Sequence, residues 1–346
     1  DSVLAAGQAL NEAGADSIAI IFLHAYANAC HEIKAAEILA LAFPDISVST
    51  SSEVAPEIRE YERASTTAAN AYIKPLAERY LDSLVAKIKS LSIEAPLHLM
   101  ISSGGLTHLM EAKRAPVQML ESGPAAGALA GAYFGNADAK EPLIAFDMGG
   151  TTAKLCLIEG GEPLVAHGFE AGRQERFVEG SGLPIRISTI DLIEIGAGGG
   201  SIASVNDLGF LKVGPKSAGS EPGPAAYGRG SEYATVTDAD FALGYLNPEH
   251  FAAGMLDIDL DASKHALNTV AKKAGLTRNQ IAWGIHDVVN ENMVGAARVH
   301  IAERGRDPRD FTVGVRSAEM RVTAFFYRQD REQARSQSAG TGGKAY

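Results

Sequence analysis

Phe146-Asp147-Met148-Gly149-Gly150-Thr151-Thr152 is the stretch of this chain richest in possible chemistry. An apolar run ends in a carboxylate, and a Gly-Gly turn follows at once. Glycine lets a backbone come close to a ligand and adopt positive φ. Consecutive N–H groups in such a turn can hold a phosphate, and the hydroxyls of Thr151 and Thr152 add donors. Asp147 would then stand beside the phosphate, placed to hold Mg²⁺ through water or to orient an attacking water. A plain hairpin with an aspartate at its turn fits the same residues, and the stretch alone leaves both readings open.

A second glycine loop, Gly196-Ala197-Gly198-Gly199-Gly200-Ser201, closes another apolar run. It lacks the lysine of a P-loop and the strand-loop-helix spacing of a dinucleotide fingerprint. Its weight comes from company: two such loops so near in sequence favour one shared nucleotide cleft. Ser102-Ser103-Gly104-Gly105 and Glu121-Ser122-Gly123-Pro124 put small polar residues at element ends, and for Ser122 a capped helix start is the favoured reading.

The nine histidines form no H-E-x-x-H or similar spacing, and no Ser/His/Asp or Cys/His set is legible. His24 and His31, with Cys30 and Glu32 alongside, read as packing and surface residues. Cys30 and Cys156 fit no metal spacing and read as reduced, buried small hydrophobes. Glu53, Glu57, Glu60 and Glu62, mixed with Arg59 and Arg63, read as a solvated stretch before a helix.

These residues need elements to position them. The pattern predicts a helix over 3–13, a buried parallel strand over 17–23, a helix over 31–42 stopped by Pro44, and a strand over 46–49. From Glu62 to Leu91, the residues Ala69, Tyr72, Ile73, Leu76, Tyr80, Leu81 and Leu84 recur at three- and four-residue steps, predicting one apolar helical face kinked at Pro75. A strand over 97–102 and a helix opening at Ser122-Gly123-Pro124 follow, with Gly127 and Gly131 spaced for close packing. Residues 143–158 and 190–213 predict hairpins closed by glycine turns. Residues 214–232 read as a Gly/Pro/Ser loop. Helices return at roughly 238–245, 261–274, 277–282 and 285–304. The segment from Val313 is Arg-, Gln- and Ser-rich, and 328–346 reads as disordered.

At 346 residues the chain can bury a sizeable core. A net charge of -11 and the absence of a basic stripe argue against a nucleic-acid surface, which must neutralise phosphates. A nucleotide remains possible, since local N–H groups bind phosphate without net positive charge. No apolar run of about 20 residues is present, so no membrane span is expected and a cytoplasmic protein is the default.

Several blocks in one order resemble the A subunit of the hydantoinase/oxoprolinase family, which includes N-methylhydantoinase, 5-oxoprolinase and acetone-carboxylase-type subunits. They are FLHAYANACHE (22–32), SSEVAPEIREYERASTTAANAYIKP (51–75), ISSGGL (101–106), ESGPAAGALAGAY (121–133), FDMGGTTAKLCLIEGG (146–161), IDLIEIGAGGGSIASV (190–205), VGPKSAGSEPGPAAYGRG (213–230), VTDADFALGYL (236–246) and ENMVGAARVHIAERGRDPRDFT (291–312). The resemblance implies an α/β, actin-like ATPase fold built from RNase H-like halves, here incomplete. It divides the chain into the end of an N-terminal domain (1–45), a hydantoinase/oxoprolinase domain (46–312) and an atypical tail (313–346).

It further implies that FDMGGTT is the family's second phosphate loop. Asp147 becomes the catalytic candidate, Gly149, Gly150, Thr151 and Thr152 the phosphate-binding candidates, and Gly198, Gly199 and Gly200 cleft-lining candidates. The implied activity is ATP- and Mg²⁺-dependent hydrolysis of a small cyclic amide of the 5-oxoproline or hydantoin type, with a B-type partner subunit or domain and an oligomeric state. A carboxylase subunit is the alternative. The family's first phosphate loop, Gly-x-Asp-x-Gly-Gly-Thr, is not in this sequence. VGVRSAEMRV with an Arg/Gln/Ser-rich tail stands where the resemblance leads one to expect a Gly-Gly-Ala-Gly-Pro adenosine loop, so a catalytically incompetent fragment is a third reading.

Overall fold

The computed structural model describes residues 1–135, 142–172 and 180–315; the stretch 328–346 read as disordered lies outside them. The chain forms two compact units, Asp1–Ala126 with Val165–Asp191, and Gly127–Leu164 with the chain from Leu192 onward.

In the first unit, strand Ser17–Ile20 pairs in parallel with Ser47–Thr50. Parallel neighbours need a crossover, and helix Cys30–Ala42 supplies it. Its Ala35 and Leu39 meet Ile18, Ile20 and Ile46 in a small core. Cys30, expected inside, is exposed because it opens that helix; Cys156 is buried.

Helix Glu60–Ser90 runs for 31 residues and Pro75 does not interrupt it. The expected apolar stripe is buried only in part: Leu81 is buried, and Ala69 and Ile73 pack against Val54, Val117, Ile185 and Ile187. Tyr72, Leu76 and Tyr80 are 85%, 66% and 63% exposed, whereas Arg63, Ser65, Thr66, Thr67, Asn70, Ala71 and Leu81 are buried. Beside those apolar contacts the helix also meets backbone, and buried backbone groups need partners. Ser65 Oγ donates to the Pro184 carbonyl at 2.7 Å, and Thr66 Oγ1 accepts the Arg186 N–H at 2.8 Å. Asn70 donates to Ser49 Oγ at 3.0 Å and accepts the Val117 N–H at 3.1 Å. Lys74 reaches the Val48 carbonyl at 2.6 Å.

Arg63, read as part of a solvated stretch, is likewise only 1% exposed. Its Nη2 donates to the Phe22 carbonyl at 2.7 Å and to Glu60 at 3.2 Å. On the other side of the same residue, the buried Glu32 carboxylate accepts the Phe22 N–H at 2.8 Å, the Ser51 hydroxyl at 2.6 Å and the Ser52 N–H at 2.8 Å. Both peptide groups of Phe22 are therefore clamped by a buried ion of opposite sign.

The second unit is built on a sheet with the order Leu192–Ile195, Ala153–Glu159, Leu143–Met148, Thr312–Val315. The first three are antiparallel neighbours; the last returns in parallel to Leu143–Met148, carrying regular structure into the first residues of the 313–346 segment. Alternate residues of the central strand, Ile144, Phe146 and Met148, enter the main core with Leu155, Leu157, Ile195 and the helices. On the opposite face, helix Ser122–Gly135 packs closely. A Cβ on Gly131 would lie 3.0 Å from Ala145 Cβ, so the expected close approach occurs there.

A hairpin of Ser201–Val205 and Leu211–Ser217 and the helices Val236–Leu243, Leu260–Ala274 and Arg278–Glu303 complete the unit. The two helices expected over 277–282 and 285–304 are one. Gly284 does not break it; a Cβ there would meet Leu211 at 3.1 Å, so glycine serves close packing. Among the described residues no helix is long and apolar enough to cross a membrane.

Candidate functional site: two facing glycine loops

Strand Leu143–Met148 delivers Asp147 to its end, half-buried where its neighbours in the strand are buried. Asp147 stands opposite Lys154, which stands opposite Glu194, so three charged residues form a row across one face of the sheet. Lys154 Nζ lies 3.9 Å from Glu194. The Asp147 carboxylate takes no hydrogen bond among the described residues, which leaves it able to bind something else.

The turn after it closes with the Gly149 N–H donating to the Thr152 carbonyl at 2.9 Å. The second loop lies directly against this turn. Gly199 N–H donates to the Gly149 carbonyl at 3.1 Å, and Gly200 N–H to the Gly150 carbonyl at 2.6 Å. A peptide group is planar and trans, so its C=O and N–H point in opposite directions. With the carbonyls of Gly149 and Gly150 drawn into the glycine run, the N–H groups of Gly150 and Thr151 must point away from it. These two and the Thr152 N–H make no hydrogen bond among the described residues. The turn thus presents consecutive, oriented donors on an exposed edge, the arrangement that suits an anion.

The glycine run itself is buried and fully engaged. Gly198 N–H is held by Ser201 Oγ at 2.9 Å. Gly199 and Gly200 give their N–H groups to the turn, as above; their carbonyls accept from Thr237 N–H and Ala218 N–H, each at 2.8 Å. The run works on the turn as a template.

The other sequence candidates separate from this site. Ser102 is buried, and its hydroxyl lies within hydrogen-bond reach of the carbonyls of Gln118 and Leu120, with one proton to give, a structural role. Ser122 opens a helix, as read. No group of three or more His, Cys, Asp or Glu among the described residues is placed to hold a metal. A lone carboxylate beside outward-facing N–H donors nonetheless suits Mg²⁺, which is commonly held by one or two carboxylates together with substrate phosphates.

Residue reasoning from the sequence passed over Thr235, Thr237 and Asp238. The signal was available: Thr235-x-x-Asp238 before an apolar run is a helix-start pattern, and the structure shows both halves of a capping box.

Fold and loops together define a mixed α/β protein with two glycine loops locked face to face. Its relatives agree on what kind. The hydantoinase/oxoprolinase family model matches residues 63–316, and the model of that family's N-terminal region matches residues 1–42. An uncharacterized protein of Methanocaldococcus jannaschii is 44% identical over 86% of this chain and 44% of its own length. The caprolactamase alpha subunit of Pseudomonas jessenii is 36% identical, over 86% of this chain and 42% of its own. Nucleotide-free acetone carboxylase has a similar fold, with a TM-score of 0.74 at 25% identity over 90% of this chain and 43% of its own. The crystal structure of the ATP-dependent caprolactamase superposes with a TM-score of 0.69 at 33% identity, over 96% of this chain and 46% of that one. The chain belongs to the hydantoinase/oxoprolinase family. It spans less than half the length of these relatives.

Proposed function

We propose that the complete protein uses ATP to hydrolyse a small cyclic amide of the 5-oxoproline or hydantoin type, and that Asp147–Thr152 receives the nucleotide's terminal phosphates. The outward N–H groups of Gly150 and Thr151, fixed by the facing glycine run, are the observation that carries this reading. An amide carbon is a poor electrophile. Transfer of a phosphoryl group from ATP to the amide oxygen breaks the bond to ADP and makes that carbon open to water. The ring C–N bond then opens as the nitrogen leaves with a proton, and a second water hydrolyses the resulting acyl phosphate to the carboxylate and free phosphate. Little covalent work falls to the protein, whose share is positioning and charge stabilisation. The donors of Gly150 to Thr152 would face the phosphate charge. Asp147 would hold Mg²⁺ through water, the ion supplying charge neutralisation when bound.

The parallel return of Thr312–Val315 beside an antiparallel trio supports assigning the second unit to the actin-like, RNase H-like class. The division into 1–45, 46–312 and 313–346, a B-type partner, an oligomeric state and a cytoplasmic location belong to the same proposal. Asp147→Ala in the complete protein with its partner should abolish ATP turnover while thermal unfolding stays that of wild type. Undiminished ATP hydrolysis removes Asp147 from the mechanism.

The likeness to acetone carboxylase supports a second reading, a carboxylase subunit. The two part on what drives ATP consumption: cyclic amide alone for the hydrolase, bicarbonate together with an organic substrate for the carboxylase.

A further inference from the structure

We propose that Asp238 is a positioning residue for the phosphate-facing turn, acting through helix Val236–Leu243 and the glycine run; this rests on the reading of Asp147–Thr152 as the phosphate site. Asp238 is 0% exposed. Removing a carboxylate from water costs several kcal/mol unless donors replace the water, and here four do. Oδ2 accepts Thr235 Oγ1 at 2.7 Å, Thr235 N–H at 2.9 Å and Ala225 N–H at 3.2 Å, and Oδ1 accepts Ala226 N–H at 2.8 Å.

A helix cap alone needs only the bonds to Thr235. The additional bonds to Ala225 and Ala226 tie the helix start to a second segment, so Val236–Leu243 begins at one fixed place. What that place determines lies one residue away. Thr237 N–H, a donor of the first helical turn where the helix itself offers no carbonyl, donates to the Gly199 carbonyl at 2.8 Å. Gly199 in turn donates to the Gly149 carbonyl at 3.1 Å. Asp238 therefore stands two hydrogen bonds from the peptide group whose N–H belongs to Gly150. If the helix start loosens, the Gly149–Gly150 peptide loses its template, and its N–H no longer holds one direction. The ligand-facing donors weaken although no residue touching the ligand has changed.

The test uses the full-length protein with its partner subunit and follows steady-state ATP hydrolysis against Mg-ATP concentration. Asp238→Asn keeps the size but sets an NH₂ among donors. Thr235→Val removes the hydroxyl and keeps the shape, and Thr235→Ser keeps the hydroxyl. Asp238→Asn and Thr235→Val should each raise the KM for Mg-ATP about tenfold, with kcat lowered much less. Thr235→Ser should restore the wild-type KM. Asp147→Asn should do the opposite, losing kcat with nucleotide binding retained. Unchanged kinetics in Asp238→Asn and Thr235→Val, or a fall in kcat at constant KM as from lost folded enzyme, overturns the positioning role while leaving the phosphate site standing. Undiminished turnover in Asp147→Asn overturns the underlying reading, and the positioning role with it.

Discussion

Gly198 and Gly149 are in closer contact than any side chain would allow: a Cβ on Gly198 would lie 2.7 Å from the Gly149 carbonyl oxygen. It would also lie 2.8 Å from the carbonyl carbon and oxygen of Gly150. The obstacle is backbone on both sides, so neither loop can yield by moving a side chain.

Gly198→Ala should therefore drive the two loops apart. The expected loss is about 1–3 kcal/mol of stability, typical of overpacking, together with a large fall in ATP turnover by the complete enzyme. Denaturant unfolding and steady-state kinetics on one preparation check both. Wild-type values in each would mean that the loops are not locked.

Gly150→Ala should behave differently. A Cβ there has nothing within 4 Å, and the residue does not have the positive φ that would strain alanine. Stability should stay within about 0.5 kcal/mol, as for an unremarkable surface change. Affinity for Mg-ATP should nevertheless fall, because the methyl group would meet the ligand instead of the protein. Calorimetric titration of the complete protein decides it, and undiminished affinity would place the nucleotide elsewhere.

Glu32 gives a pH dependence with a definite sign. Burial alone would raise its carboxyl, but the Ser51 hydroxyl and the N–H groups of Phe22 and Ser52 outweigh that and hold it below the ordinary 4.5. A carboxylate lowered on folding stabilises above its unfolded value, and the benefit fades as pH falls through the folded one. Glu32→Gln should cost about 2–3 kcal/mol near neutrality, since buried donors lose their charged acceptor. The gap between variant and wild type should narrow below about pH 4.5. Parallel urea-midpoint profiles would contradict this.

Asp240 should show the opposite slope. Burial raises its carboxyl above the ordinary 3.8, and the bond to His286 only partly offsets it; the two side chains meet at 2.9 Å in the interior. A raised carboxyl means that the folded state keeps its proton longer, so its contribution to stability declines as pH rises through the folded value. Asp240→Asn should gain stability relative to wild type as pH rises above about 4. A relative loss over that rise in chemical denaturation would refute the sign.

Much of the second unit was legible because its signals are local. Alternating apolar residues flank Gly149-Gly150, and the hairpin, its turn and the helix opening at Ser122 stand where the pattern puts them. The helix Glu60–Ser90 was legible as a helix but only in part for its orientation. Apolar periodicity rightly placed Leu81, Ala69 and Ile73 toward the interior, but it also pointed the exposed Tyr72, Leu76 and Tyr80 inward and missed the buried Arg63, Thr66 and Asn70. Periodicity measures side-chain polarity. It carries no information on whether the surface facing a helix consists of apolar side chains or of backbone groups in need of partners.

The sequence by itself determined the local means: glycines where backbone must approach backbone, a carboxylate at the end of an apolar strand, and a capping box at Thr235 and Asp238. Only tertiary structure decided that Gly199 and Gly200 would grip the carbonyls of Gly149 and Gly150, and so which way the next N–H groups face. Residue type fixes what a segment can do in its own neighbourhood. The direction of a peptide dipole is set by whatever distant chain segment folds against it.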